Sequence, residues 1–164
     1  MEHVAPPQNP LGRLVSLVLW TMRAWVVGIV ERIPVEEQIC DAFRQLGVPD
    51  GTAQLYEFMW LLSHAANRII NIDCVCWPQV TEDERRMLDV VALAQRGRSF
   101  EVLMLLRAML APPVATAAAE SAARFAETLK SEGLMLPMPA HGTERYLLVS
   151  EAMERRVARS RSLH

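Results

Sequence analysis

The stretch NIDCVCWPQVTEDERRMLDVV, residues 71–91, holds the residue types best able to do chemistry: Cys74 and Cys76 one residue apart, then the consecutive acids Glu82, Asp83 and Glu84. A thiol pair beside carboxylates is the raw material of a metal site or a redox centre. The spacing argues against zinc. A structural zinc site wants four ligands, usually as two Cys-x2-4-Cys or Cys/His pairs, and Cys-x-Cys has neither that spacing nor a second pair. His64, Asp73 and Cys40 would complete a set only by tertiary accident. Cysteine is among the most often buried residue types, and Ile70, Ile72, Cys74 and Cys76 alternate to one side of an extended segment. The segment is therefore expected to be a connection that packs its cysteines on the core. The acids have a local explanation too. Thr81 and Glu84 form a capping-box pair, and carboxylates suit the unpaired N–H groups of a helix's first turn. Neither metal nor cofactor is expected here.

A second constellation sits on a helix opening at Asp50, Gly51 and Thr52. Leu55, Phe58, Met59, Leu62, Ala65, Ala66 and Ile69 hold an i, i+3, i+4 pattern that predicts a core face running on to Ile69. Opposite that face Glu57, Trp60, His64, Arg68 and Asn71 fall within one sector. Trp with Arg and His is the composition of an interface centre. Three uses are open to this face: contact with the first helix of the same chain, a partner or ligand surface, or His64 as a general base. Nothing near His64 resembles a nucleophile motif, and the chain has no Gly-rich phosphate loop, Gly-x-Ser-x-Gly or His-Glu-x-x-His. No catalytic residue is assigned. The expected interaction surface comprises Trp20, Arg23, Trp60, His64 and Arg68.

The elements that must position these residues are helical throughout. Residues 1–10, with three prolines and no periodicity, read as a flexible tail. Residues 11–33, LGRLVSLVLWTMRAWVVGIVERI, form a long apolar helix stopped by Pro34. Its apolar run is at the lower limit for spanning a bilayer, and Arg23 near its middle costs about 2.5–3.5 kcal/mol on insertion, which the surrounding leucines and valines can offset. At 100° per residue Arg13, Ser16, Arg23 and Glu31 share one stripe on a mostly apolar cylinder, the pattern of a helix buried against neighbours. A short helix follows over PVEEQICDAFRQ, with Gly47 and Pro49 as its stop. After the capping box, Met87, Leu88, Val91 and Ala94 give a buried face up to Gly97. Ser99 starts another helix, expected to be stopped by Pro112 and Pro113. VATAAAESAARFAETLKSEG and HGTERYLLVSEAMERRVARSR complete the set. The expected fold is all-α: a bundle of six or seven helices forming one domain over residues 11–158, followed by a flexible basic tail, 159–164.

Composition agrees with an ordinary folded domain. With 164 residues, 51% apolar and 22% charged, the chain can bury roughly 70% of its unfolded surface and needs neither disulfide nor metal to fold. A net charge of -2, with Lys130 the only lysine, gives no electrostatic footprint for nucleic acid. The clustered Arg155, Arg156, Arg159 and Arg161 suit a helix end. Three cysteines and an acidic, proline-rich start without a signal-peptide pattern point to a reducing cytoplasm.

From Asp73 onward, CVCWPQVTEDERRMLDVVALAQRG, LLRAMLAPP and SEGLMLP resemble a group of short, uncharacterised bacterial all-helical proteins. That group combines a Cys, a Ser/Thr-x-Asp-Glu helix start, a Gln-x-Gly turn and a Gly-Leu-x-Leu-Pro, over about residues 73–137. The resemblance implies a helical fold and no particular activity. The expectation for function is a non-enzymatic cytoplasmic interaction or regulatory protein, a homodimer that uses the surplus apolar surface of the first helix, with the Trp60 face as a further candidate contact. The alternatives are a peripheral membrane protein anchored by the helix 11–33, and a small-ligand binder or enzyme with a pocket near His64 and Arg68.

Overall fold

A computed structural model describes residues 10–138. The described residues form six helices and no strand: α1 (Pro10–Glu31), α2 (Glu36–Gln45), α3 (Gly51–Ala65), α4 (Glu82–Ala94), α5 (Ser99–Arg107) and α6 (Pro112–Ser131). The fold is all-α. Residues 1–9, the helix expected over 141–161, the arginine cluster and the basic tail lie outside the described residues. Residue 10, assigned to the tail on sequence, opens α1 instead, as proline at a first helical position can.

Local signals account for most helix ends. Gly47, Gly97 and Gly133 adopt positive φ just past α2, α4 and α6, and in each case the next N–H reaches back to a carbonyl of the last turn, as in Val48 to Phe43 at 2.9 Å. α1 closes the same way without a glycine. Arg32 takes φ 55° and the Ile33 N–H donates to Gly28 O at 3.2 Å, so the helix stops two residues short of the expected Ile33. Gly28 makes the return possible, since a Cβ there would lie 2.5 Å from Val35 Cγ2.

Two further expectations about boundaries are corrected. Pro112 and Pro113 do not stop α5, which ends at Arg107; they begin α6, where their missing N–H groups would be unpaired anyway. α3 ends at Ala65, with Ala66 extended (ψ 133°). The Asn67 N–H donates to Met109 O at 3.0 Å and Ala66 makes an isolated antiparallel bridge with Leu110. A partner after α5 thus draws the chain out of the helix, and Ile69 becomes the most exposed large apolar residue described.

α6 lies between α3 on one side and α4 and α5 on the other, while α1 packs across α2, α3 and α4. Phe43, Phe58 and Phe125 fill the centre with Met22, Leu55, Met87 and Leu106, and Phe43 meets Phe125 edge to face at 5.8 Å. Leu14, Val18, Met22, Ala24 and Trp25 bury the first two thirds of α1 within the chain itself. Its last turn is bare: Ile29 and Val30 are 60% and 70% exposed. α1 is long and apolar enough to cross a membrane by length and composition, with 44% of that window buried in the fold.

Candidate functional site

The chain from Ala66 to Thr81 has no regular secondary structure, so something other than a backbone ladder must hold it. Two carboxylates in the first turn of α4 do so. Glu84 takes a bidentate pair from Arg23, with Nε to Oε1 at 2.7 Å and Nη2 to Oε2 at 2.8 Å. The side chains of this pair are only 4% and 1% exposed. Glu84 also accepts from the Asp73 amide at 3.0 Å and from the Thr81 amide at 2.9 Å, while its own N–H donates to Thr81 Oγ1 at 3.1 Å. The remaining Arg23 donors go to Trp77 O at 2.7 Å and Gln79 O at 2.6 Å. One buried ion pair therefore fixes both ends of the 73–79 loop.

Asp83 holds the preceding stretch. Arg68 donates to both its oxygens, at 2.7 and 2.9 Å; the Asn71 amide donates at 2.8 Å and Arg86 Nη1 at 2.9 Å. Thr81 Oγ1 adds a bond to Asn71 O at 2.6 Å. Burial alone would push both carboxyls up. For Asp83 the hydrogen bonds from Arg68 and the Asn71 amide, with the field of both arginines, more than offset it; for Glu84 those from Arg23 and two backbone amides do. Both stay below the ordinary carboxylate range. Arg23 and Arg68 are raised in turn, each chiefly by the hydrogen bond to its carboxylate.

The capping box expected at Thr81 and Glu84 is present. All three acids are also ion-pair partners, Glu82 with Arg86 of its own helix and Asp83 and Glu84 with the distant Arg68 and Arg23, and local spacing does not show the two distant pairs. The available signal was Arg23, a lone cation in the middle of an apolar helix, which requires a carboxylate if it is buried. The polar stripe assigned to α1 accordingly divides: Arg13, Ser16 and Glu31 are exposed, while Arg23 faces inward.

The five expected surface residues do not form one surface. Arg23 and Arg68 meet neighbouring carboxylates at the start of α4. Arg68 leaves the α3 face because α3 has already ended. Trp60 is 53% exposed rather than covered by α1 and stacks on His64 at 4.4 Å. His64 Nδ1 is within hydrogen-bond distance of Ser63 Oγ and Trp60 O, at 2.8 and 3.0 Å. Trp20 is partly buried against the core.

The cysteines overturn an expectation. Ile70 and Ile72 pack on the core, but the alternation breaks at a turn in which the Trp77 N–H donates to Cys74 O at 3.1 Å. Within that turn Cys74 and Cys76 are exposed, not buried, with their Sγ atoms 3.1 Å apart. Among the described residues no three His, Cys, Asp or Glu side chains converge to hold a metal ion.

The segment fixed by Asp83 forms one wall of an open apolar groove of about 280 Å³, whose other walls are the last turns of α1 and α3. Trp25, Met59 and Leu62 lie in the groove; Ile29, Val30 and Ile69 line its edges. Ile69 is 83% exposed. No protein family, curated protein or solved structure matches this chain at a significant level. Geometry alone therefore carries the functional reading of these surfaces.

Proposed function

We propose that this chain is a non-enzymatic interaction protein that pairs with a second copy of itself through the groove between the end of α1 and residues 66–72. The supporting observation is that apolar rim and apolar groove occur side by side on one face. Ile29, Val30 and Ile69, exposed to the degrees given, all line the same groove, and large apolar side chains exposed together mark interaction sites. Ile69 projects while the space beside it is concave. A face carrying both a knob and a hole suits an isologous two-fold contact, in which each copy's Ile69 enters the other's groove. The free thiols of the chain suit a reducing compartment, the cytoplasm.

Light scattering and sedimentation equilibrium of the full chain test this reading. The expected result is a dimer at micromolar concentration that Ile69→Asp and Val30→Asp convert to a folded monomer. Trp60→Ala, which alters an exposed aromatic outside the groove, leaves the dimer intact. A parent chain that stays monomeric, or a dimer indifferent to Ile69→Asp, overturns the proposal. The same groove supports a second reading as a pocket for a small apolar ligand beside Arg68, since its volume is close to the lower end for such sites. Saturable uptake of an apolar fluorophore by a monomeric parent, lost in Ile69→Asp, would select that reading. Flotation of the parent chain with lipid vesicles would instead select attachment through the bare end of α1.

A further inference from the structure

Cys74 and Cys76 occupy the first and third positions of the turn closed by the Trp77 N–H. That places both thiols on the same side, exposed, with 3.1 Å between sulfurs, about 1 Å more than an S–S bond. The turn is also immobilised. Just before it the Asp73 amide is bound to Glu84, and just after it Arg23 holds the carbonyls of Trp77 and Gln79. Because the buried ion pair has already fixed the loop, the second thiol stands beside the first at a high effective concentration. The hydrogen bond to Cys74 pushes the Cys76 thiol up, as expected of two sulfurs that share a proton. Four-ligand zinc needs two further donors, which the described residues do not supply. Two-electron thiol chemistry needs only the pair.

We propose that Cys74 and Cys76 form a thiol–disulfide exchange site that low-molecular-weight disulfides oxidise as a pair. One cysteine gives its proton to solvent, and its thiolate attacks a sulfur of the disulfide. The S–S bond breaks, one thiolate leaves and is protonated, and a mixed disulfide remains on the protein. The second cysteine, deprotonated in turn, attacks the protein sulfur of that mixed disulfide and expels the other thiolate. The protein dithiol has lost two hydrogens and the small disulfide has become two thiols. Excess thiol reverses both steps.

The test treats the full chain with oxidised glutathione and follows it by intact and peptide mass spectrometry. Cys40→Ser leaves only the two thiols of interest, and the parent chain is run beside it with Cys40 as an independent third thiol. The expected product is two hydrogens lighter, with Cys74 and Cys76 joined and no lasting adduct at either. Cys40→Ser/Cys74→Ser and Cys40→Ser/Cys76→Ser each stop at a single glutathione adduct. Ring closure from the mixed disulfide is expected to be about tenfold or more faster in the native chain than in urea, because the fold holds the thiols together. Accumulation of a double adduct overturns the proposal, and so does a closure rate unchanged by unfolding.

Discussion

Replacing Arg23 by Met isolates the interaction on which the 66–81 segment depends. Methionine retains much of the apolar stem but removes every donor, so Glu84 keeps its burial and two backbone amides and loses its countercharge. Breaking a buried pair by removing one partner costs about 3–5 kcal/mol, because the surviving charge is left uncompensated. Two carbonyls, at Trp77 and Gln79, lose their donor as well, which places the expected loss in the upper part of that range. This is a large fraction of the roughly 5–15 kcal/mol that holds a domain together, and for a chain of this size it lowers Tm by about 10–20 °C. Glu84→Gln in the Arg23→Met background removes the stranded charge and keeps a side chain able to accept from Thr81. The double variant should therefore recover stability relative to Arg23→Met, with the cycle showing a coupling of about 2 kcal/mol or more. Urea unfolding followed by far-UV circular dichroism measures all four proteins. If Arg23→Met lies within about 1 kcal/mol of the parent, or the two single losses add in the double variant, the pair does not organise the segment.

Arg32→Gly should stabilise the protein by about 1 kcal/mol, since among the described residues only the αL position after α1 is occupied by a residue with a Cβ; a rise in the urea midpoint checks this, and an unchanged or lower midpoint contradicts it. Asp83 and Glu84 are held below their unfolded values of about 3.9 and 4.3. Their contribution is thus fully present above those values and lost as pH falls through the lower folded ones. Stability is expected to drop steeply below about pH 4, and more gradually in Asp83→Asn, whose unfolded state has one proton fewer to take up. Arg23 and Arg68, being raised, would lose their contribution only in strong alkali.

The helices were legible because their signals are local. Apolar spacing, the Thr81–Glu84 box and the three glycines past α2, α4 and α6 each act within a turn or two of chain. The errors that moved side chains from one face to another arose where a distant group decided the outcome. Periodicity carries α3 on to Ile69, but the bridge from Ala66 to Leu110 ends it. The alternation from Ile70 to Cys76 fits a buried strand-like connection, yet Arg23, more than fifty residues earlier, holds the carbonyls that turn the cysteines outward. Arg68 looked like a neighbour of His64 and is instead bonded to Asp83. The apolar groove had no sequence signal of its own, because its walls come from α1, α3 and the irregular segment together.

The choice of cation bears on both proposals. A guanidinium stays charged under all ordinary conditions and offers a planar set of donors, so one Arg23 can grip a carboxylate and two carbonyls at once. A buried lysine would have three donors and would tend to shed its proton. Asp83 and Glu84 are adjacent in the first turn of α4 but hold different things: Asp83, through Arg68 and Asn71, fixes the Ile69 wall of the groove, and Glu84, through Arg23 and Asp73, fixes the cysteine turn. Neither arginine contacts the other's carboxylate through any of these bonds. Oxidation of the thiols therefore need not disturb the groove, and pairing through the groove need not close off the thiols, although the start of one helix anchors both.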